Sequence, residues 1–117
     1  MKVALAMFLV LALSGCELLG IGTVCTLEER PAITVALVDS ITGEAIVPDS
    51  LLVVAADGEY ADTVRGLVPG GVAHEREGIY RVTVQASGYA PWIRENVRVT
   101  ADECHVRTVE LVARLHP

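Results

Sequence analysis

The side chains able to perform covalent, metal or proton chemistry in this 117-residue chain are three cysteines, three histidines and fifteen carboxylates. Their spacing argues against most of that chemistry. Cys16, Cys25 and Cys104 form no Cys-x-x-Cys pair and no Cys/His pair at ligand spacing. Cys104 and His105 are neighbours, so on a strand they point to opposite faces. His74, His105 and His116 fall in a glycine-rich stretch, a strand-like segment and the tail, which fits exposed surface imidazoles better than a metal or acid–base trio. Asp57, Glu59 and Asp62, with Asp39 if it folds nearby, offer oxygens to a calcium ion, but no EF-hand loop is present and the same alternation describes a solvated edge. His74–Gly78, HEREG, is the densest charge cluster; it invites an enzyme story and fits a solvated loop tip better. Ser14, Ser40, Ser50 and Ser87 lack a nucleophile-elbow context. The expectation is no metal, no cofactor and no catalytic residue.

A binding face is a different matter. Arg94 and Arg98 lie on one strand-like segment, Arg81 and Arg107 on segments expected to neighbour it, and Trp92 stands at the end. With a period of two, Arg94 and Arg98 share a face. Arginines beside an aromatic suit a glycan or an acidic partner. Equally, they pair with Glu95, Glu103 and Glu110 and solvate the sheet. Trp92, after Pro91, fits a plug at the core's end or a ligand platform.

These residues must be positioned by strands, because apolar residues alternate almost throughout. Ala32–Asp39 places Ile33, Val35 and Leu37 on one face, and Asp39, Thr42 and Gly43 then form a turn with a positive φ expected at Gly43. Leu51–Ala56, LLVVAA, is a continuous apolar run, as in a strand buried on both faces. Asp57-Gly58 signals a hairpin back into Glu59–Val64. Arg65–Gly78 reads as a loop. Ile79–Ala86 sets Tyr80, Val82, Val84 and Ala86 against Ile79, Arg81, Thr83 and Gln85. Trp92–Thr100 places Ile93, Val97 and Val99 inward, and Cys104–Ala113 is the last strand, with a bulge near Arg107-Thr108 to repair its phase. Six or seven short strands without a convincing helix imply an all-β fold: a single antiparallel β-sandwich in one domain.

The N-terminus has its own pattern. Met1 and Lys2 lead into eleven uncharged residues, Val3–Leu13, the shape of a secretory signal and too short to span a bilayer. An uncleaved anchor continuing to Val24 would carry Glu17 and three glycines, which disfavour it. Leu13-Ser14-Gly15-Cys16 resembles the lipobox of bacterial lipoproteins at all four positions. The resemblance implies removal of residues 1–15 and acylation of Cys16, including palmitate-type chains, and several acyl chains anchor stably. Glu17, not Asp, follows the cysteine; by the enteric Gram-negative sorting rule this implies the outer membrane. Removing Lys2 with the signal leaves eight arginines against fifteen acidic residues, a net charge of −7. That charge argues against nucleic acid and against adhesion to anionic lipid by charge, which leaves the anchoring to the acyl chains.

With Cys16 assigned to lipid, Cys25 and Cys104 remain as an even pair. In an oxidising compartment they suggest one disulfide, against the alternative of two inert buried thiols. Residues 16–24 then form a short apolar tether. Its eight residues beyond the cysteine reach at most about 26–29 Å, so the domain, residues 25–117, stays close to the membrane.

A second resemblance covers about 80 residues. Val35, Leu37, Asp39, Thr42, Gly43 and Ala45, then Gly78, Tyr80, Val82, Val84, Ala86, Gly88 and Tyr89, closing with Val109 and Leu111, resemble the carboxypeptidase regulatory-like, or prealbumin-like, domains. Leu37 and Ala45 replace the commoner valine and proline of that pattern. The resemblance implies a Greek-key sandwich of about seven antiparallel strands and no catalysis, serving as a structural, protein-binding or carbohydrate-associated module of the cell envelope. The same fold hosts a purine-route hydrolase that ends in Tyr-Arg-Gly-Ser; this chain ends ARLHP. The expected function is therefore a non-enzymatic, lipid-anchored envelope protein. The alternative is a small hydrolase or metal-dependent module built on the Arg65–Gly78 loop and the histidines.

Overall fold

In the computed structural model, residues 24–66 and 71–117 are described. The expected signal peptide, Cys16 and the expected tether up to residue 23 lie outside the described residues, as do residues 67–70. Among the described residues six strands form: β1 (Ile33–Asp39), β2 (Leu51–Asp57), β3 (Tyr60–Arg65), β4 (Gly78–Ala86), β5 (Trp92–Val99) and β6 (Val109–Leu115). One sheet has the order β3-β2-β4-β5 and is antiparallel throughout; β1 and β6 make a second, two-stranded sheet and run parallel. The expectation of an all-β fold holds, while about seven strands becomes six and the all-antiparallel arrangement becomes a mixed one.

The parallel pair has a local cause. The chain leaves β5, turns at Asp102 and returns beside the start of β1. There Val109 N–H donates to Ala32 O at 2.8 Å, and the Thr108 hydroxyl donates to Pro31 O at 2.7 Å. The two strands therefore start level, Ile33 opposite Val109, and run together to Asp39 and Leu115. The last strand begins at Val109, not Cys104. The phase slip at Arg107-Thr108 is the boundary between a turn and a strand, not a bulge inside one.

Both sheets face one core. Val35, Leu37, Leu111, Ala113 and Leu115 of the parallel pair meet Val53, Ala55, Tyr80, Val82, Val84, Val97 and Val99 of the larger sheet in a single buried cluster. The alternation expected for β1 and β4 is observed. Glycines supply positive φ in the turns: Gly43, at +76°, closes the turn after β1, Gly58, at +61°, opens the two-residue connection between β2 and β3, and Gly88, at +84°, lies in the turn after β4.

Two expectations are corrected. Leu51–Ala56 is not buried on both faces: Leu51, Val53 and Ala55 are in the core, whereas Leu52, Val54 and Ala56 are half-buried on a face that no other described element covers. In β5, Tyr80 pairs with Val97 but Val82 pairs with Arg94, so β5 holds one extra residue there, and Asn96 takes φ +55°. This bulge reverses the phase. Ile93 therefore points outward, 48% exposed, while Val97 and Val99 stay inside.

Candidate functional site

The chain's polar chemistry converges at the end of the sandwich where β4 begins and β5 ends. Four segments meet there: residues 25–32, the 71–77 loop, the start of β4 and the 101–106 turn. The Asp102 carboxylate shapes the turn by accepting the N–H groups of Cys104 (2.8 Å) and His105 (2.9 Å), which hold it below the usual carboxylate range, His105's bond first. This turn presents Cys104 to Cys25, and the disulfide joins them with a Cα–Cα distance of 5.1 Å. It also buries His105 to 8% exposure.

Glu75 is the hub. Its carboxylate bonds His105 Nδ1 and accepts the N–H of Val106 at 3.0 Å and of Arg30 at 3.3 Å, while its own N–H donates to Arg30 O at 2.8 Å. The His105 bond, then the Val106 N–H, lower its pKa. On the far side of the imidazole, His105 Nε2 lies 2.8 Å from the Thr26 hydroxyl. The Glu75 carboxylate accepts from Nδ1, and the Thr26 hydroxyl also lies 3.4 Å from Glu28 Oε1, so its single proton has two acceptors within reach, Nε2 and Glu28. Hydroxyl, imidazole and carboxylate thus stand in line beside a cleft of about 410 Å³ lined by Glu28, Glu29, Asp102 and Glu103.

Arg76 faces the other way. Its guanidinium lies 3.9 Å from the centroid of the Tyr60 ring, and Nη1 donates to Asp57 Oδ2 and to the Tyr80 hydroxyl, each at 3.1 Å. The Tyr80 hydroxyl in turn donates to Arg76 O at 2.6 Å. Ala73 and Glu75 hold left-handed backbones at φ +56° and +53°, a strained geometry kept by these bonds and by Ala73 N–H donating to Asp62 at 2.8 Å. HEREG is therefore a latch with two anchored side chains rather than a solvated loop tip. Val72 and Ala73 within the same loop are fully buried.

The three histidines do not converge. His105 precedes β6 and His116 follows it, and seven strand residues set them roughly 20 Å apart. His116 Nδ1 lies 3.1 Å from the Ser40 hydroxyl, and His74 is exposed. His105 corrects the expectation that all three are surface groups. Three of the four calcium candidates are already engaged, Asp57 by Arg76, Asp62 by Ala73, and Asp39 by the N–H groups of Ile41 and Thr42 and by the Tyr89 hydroxyl at 3.0 Å, while Glu59 is exposed. Among the described residues no group of three or more potential ligands is placed to hold a metal.

The arginine face is divided. Because of the bulge, Arg94 shares its face with Val82 and rests 5.1 Å from the Trp92 ring centroid. Arg98 lies on the opposite face, opposite Ile79. Arg81 pairs with Glu95 at 2.8 Å on that same outer face. Arg107 belongs to the turn region, bonded to Thr100 and Ala101. Thus Arg81 and Arg98 stay together while Trp92, Arg94 and Arg107 do not join them. Half-buried Trp92 packs against the core, as a plug does. Ala101-Asp102-Glu103 reads as a turn in the sequence and is one, with the Asp102 side chain capping it, whereas Thr26 carries no local signal. No protein-family model and no curated protein sequence matches the chain.

Proposed function

We propose that this protein is a lipid-anchored domain of a bacterial cell envelope, non-enzymatic, acting by structural support or by contact with an envelope protein or glycan. The observation that carries the reading is the division of labour among the cysteines. Cys16 follows Leu13-Ser14-Gly15 directly, and Cys25 is already bonded to Cys104. The first is left for lipid, the other two serve the fold, and Glu17–Val24 is all that separates anchor from domain. The prealbumin-like Greek-key reading is supported by the meeting of its two sequence blocks: Asp39, from the first, accepts the hydroxyl of Tyr89, from the second. That bond ties the turn after β1 to the turn after β4. The test is Cys16→Ala followed by fractionation and acyl labelling. The unsubstituted chain should fractionate with membranes and take up label, and the variant should do neither. A variant that stays acylated and membrane-bound would refute the lipobox assignment.

One observation favours a second reading, hydrolysis. The Thr26–His105–Glu75 line has the order of nucleophile, base and orienting carboxylate. In that reading the Thr26 oxygen attacks an ester carbonyl while its proton passes to His105 Nε2. The proton then leaves with the alcohol, and water releases the acyl group from Thr26. Treatment with an activated aryl ester separates the readings. An acyl adduct on Thr26 that disappears in Thr26→Val would establish the hydrolase; equal, background turnover by both chains would leave the line as a structural clasp.

A further inference from the structure

The outer face of the β3-β2-β4-β5 sheet is apolar at its centre and basic at its corners. Its middle carries the second half of the LLVVAA run, Leu52, Val54 and Ala56, half-buried with no element over it among the described residues. Ile93 lies in line with Val54 across Thr83, and Ile79 sits at the end of the same face; they are 48% and 46% exposed. An antiparallel strand with one solvated face normally alternates apolar with polar residues; this run does not, and among the described residues only one of its faces is covered.

Charge identifies what the other face meets. Among the strand residues turned to this side are Arg65, Arg81 and Arg98, and the one carboxylate, Glu95, is bonded to Arg81. Arg65 and Arg98 have no ion-pair partner among the described residues. Counted over its described strand residues the face carries two positive charges without an ion-pair partner, with Asp49 at its edge lining a depression beside Arg65, on a domain that is strongly acidic elsewhere. Beside Arg65 lies a depression of about 520 Å³, also lined by Ser50, Gln85 and Ser87, with donors and room for a phosphate headgroup. Cys25 fastens the incoming chain to Cys104, in the turn that follows β5, at the end of the sheet where Gly78 pairs with Val99 and Arg98 with Ile79.

We infer that this face lies against the anionic headgroups of the membrane that carries the anchor, with Arg65 and Arg98 on phosphates and Ile79 and Ile93 at the interface. The inference rests on the lipid-anchored reading above. Whole-domain charge opposes such contact, but distance removes most of that opposition. The second sheet stands about 10 Å behind the first, and the Debye length is about 8 Å at physiological salt, so charges on the far side are screened. A basic residue near an anionic surface is worth about fivefold in binding. Two unpaired arginines therefore orient the tethered domain about twenty-five-fold in favour of this face.

The test uses the full acylated chain, floated with vesicles of phosphatidylcholine alone or of phosphatidylcholine mixed with phosphatidylglycerol. Hydroxyl-radical footprinting then compares Ile79 and Ile93 with Val112, which is 49% exposed on the outer side of the other sheet. On the phosphatidylglycerol vesicles, Ile79 and Ile93 should be shielded and Val112 not. High salt or the double substitution Arg65→Gln, Arg98→Gln should abolish the shielding without releasing the chain. A floated chain with Ile93 as reactive as Val112, or shielding equal on both vesicles, overturns the inference alone. Shielding that follows protein concentration instead of lipid charge overturns it in favour of a second copy. A chain that floats with neither vesicle refutes the anchor and the inference together.

Discussion

Removing the disulfide should cost this domain a large share of its stability. Cys25 and Cys104 are 79 residues apart in sequence, so the bridge closes nearly the whole domain into one loop. In the chain-entropy account, a closed loop of that length removes enough freedom from the unfolded chain to contribute about 4.5 kcal/mol at 25 °C. For a domain of this size that corresponds to roughly 20–35 °C in Tm. The bridge is one of several ties on its segment: Thr26 reaches His105, Arg30 is bonded twice by its backbone to Glu75, and Ala32 N–H donates to Val72 O at 3.0 Å. The native geometry should therefore survive reduction, and the loss should come from the unfolded state. The assay is denaturant unfolding of the unsubstituted chain, Cys25→Ser, Cys104→Ser and the double substitution, each with and without reductant. All three variants should be destabilised by about the same amount and should not respond to reductant. Additive single losses, or an unsubstituted chain indifferent to reductant, would refute a shared bridge.

Three further outcomes are expected. Tyr80→Phe removes a hydroxyl that donates to Arg76 O and accepts from Arg76 Nη1, and should cost about 1–2 kcal/mol in chemical denaturation. Gly71→Ala places a Cβ 2.1 Å from the Pro31 Cβ, and the resulting displacement should cost about 1–3 kcal/mol. Asp39, Glu75 and Asp102 are all held below the ordinary carboxylate range by hydrogen bonds to the ionised form. Their contribution is complete above the unfolded-state pKa, near 4, and is lost as pH falls through the lower folded values. Stability should therefore drop on acidification below about pH 4, and Asp39→Asn should flatten part of that drop; an unchanged acid limb in the variant would count against the Asp39 contribution.

The strands are legible because alternation is a local signal: five of the six both start and end within two residues of the boundaries read from apolar period and turn residues. The exceptions have physical reasons. The last strand was placed five residues early because Val106, buried through its bridge to Ala101, looks like strand in a sequence although it sits in a turn. The parallel pairing of β1 with β6 depends on hydrogen bonds between residues more than seventy apart, Thr108 to Pro31 and Val109 to Ala32. The division of the arginine face follows from one extra residue near Asn96, which period counting cannot detect. Charge density does not place HEREG, because it describes solvated loops and anchored latches alike. Only the fold shows that Glu75 has His105, and Arg76 has Tyr60, Asp57 and Tyr80, as partners. The disulfide was legible from parity once Cys16 had another assignment.

The most direct measurement of the central claim is the intact mass of the protein extracted from a membrane fraction, before and after reduction. An anchored, stapled domain should lack residues 1–15, carry an acyl increment on Cys16, and gain the mass of two hydrogens on reduction. A full-length mass with Cys16 unmodified would contradict the anchor, and an unchanged mass on reduction would contradict the Cys25–Cys104 bridge.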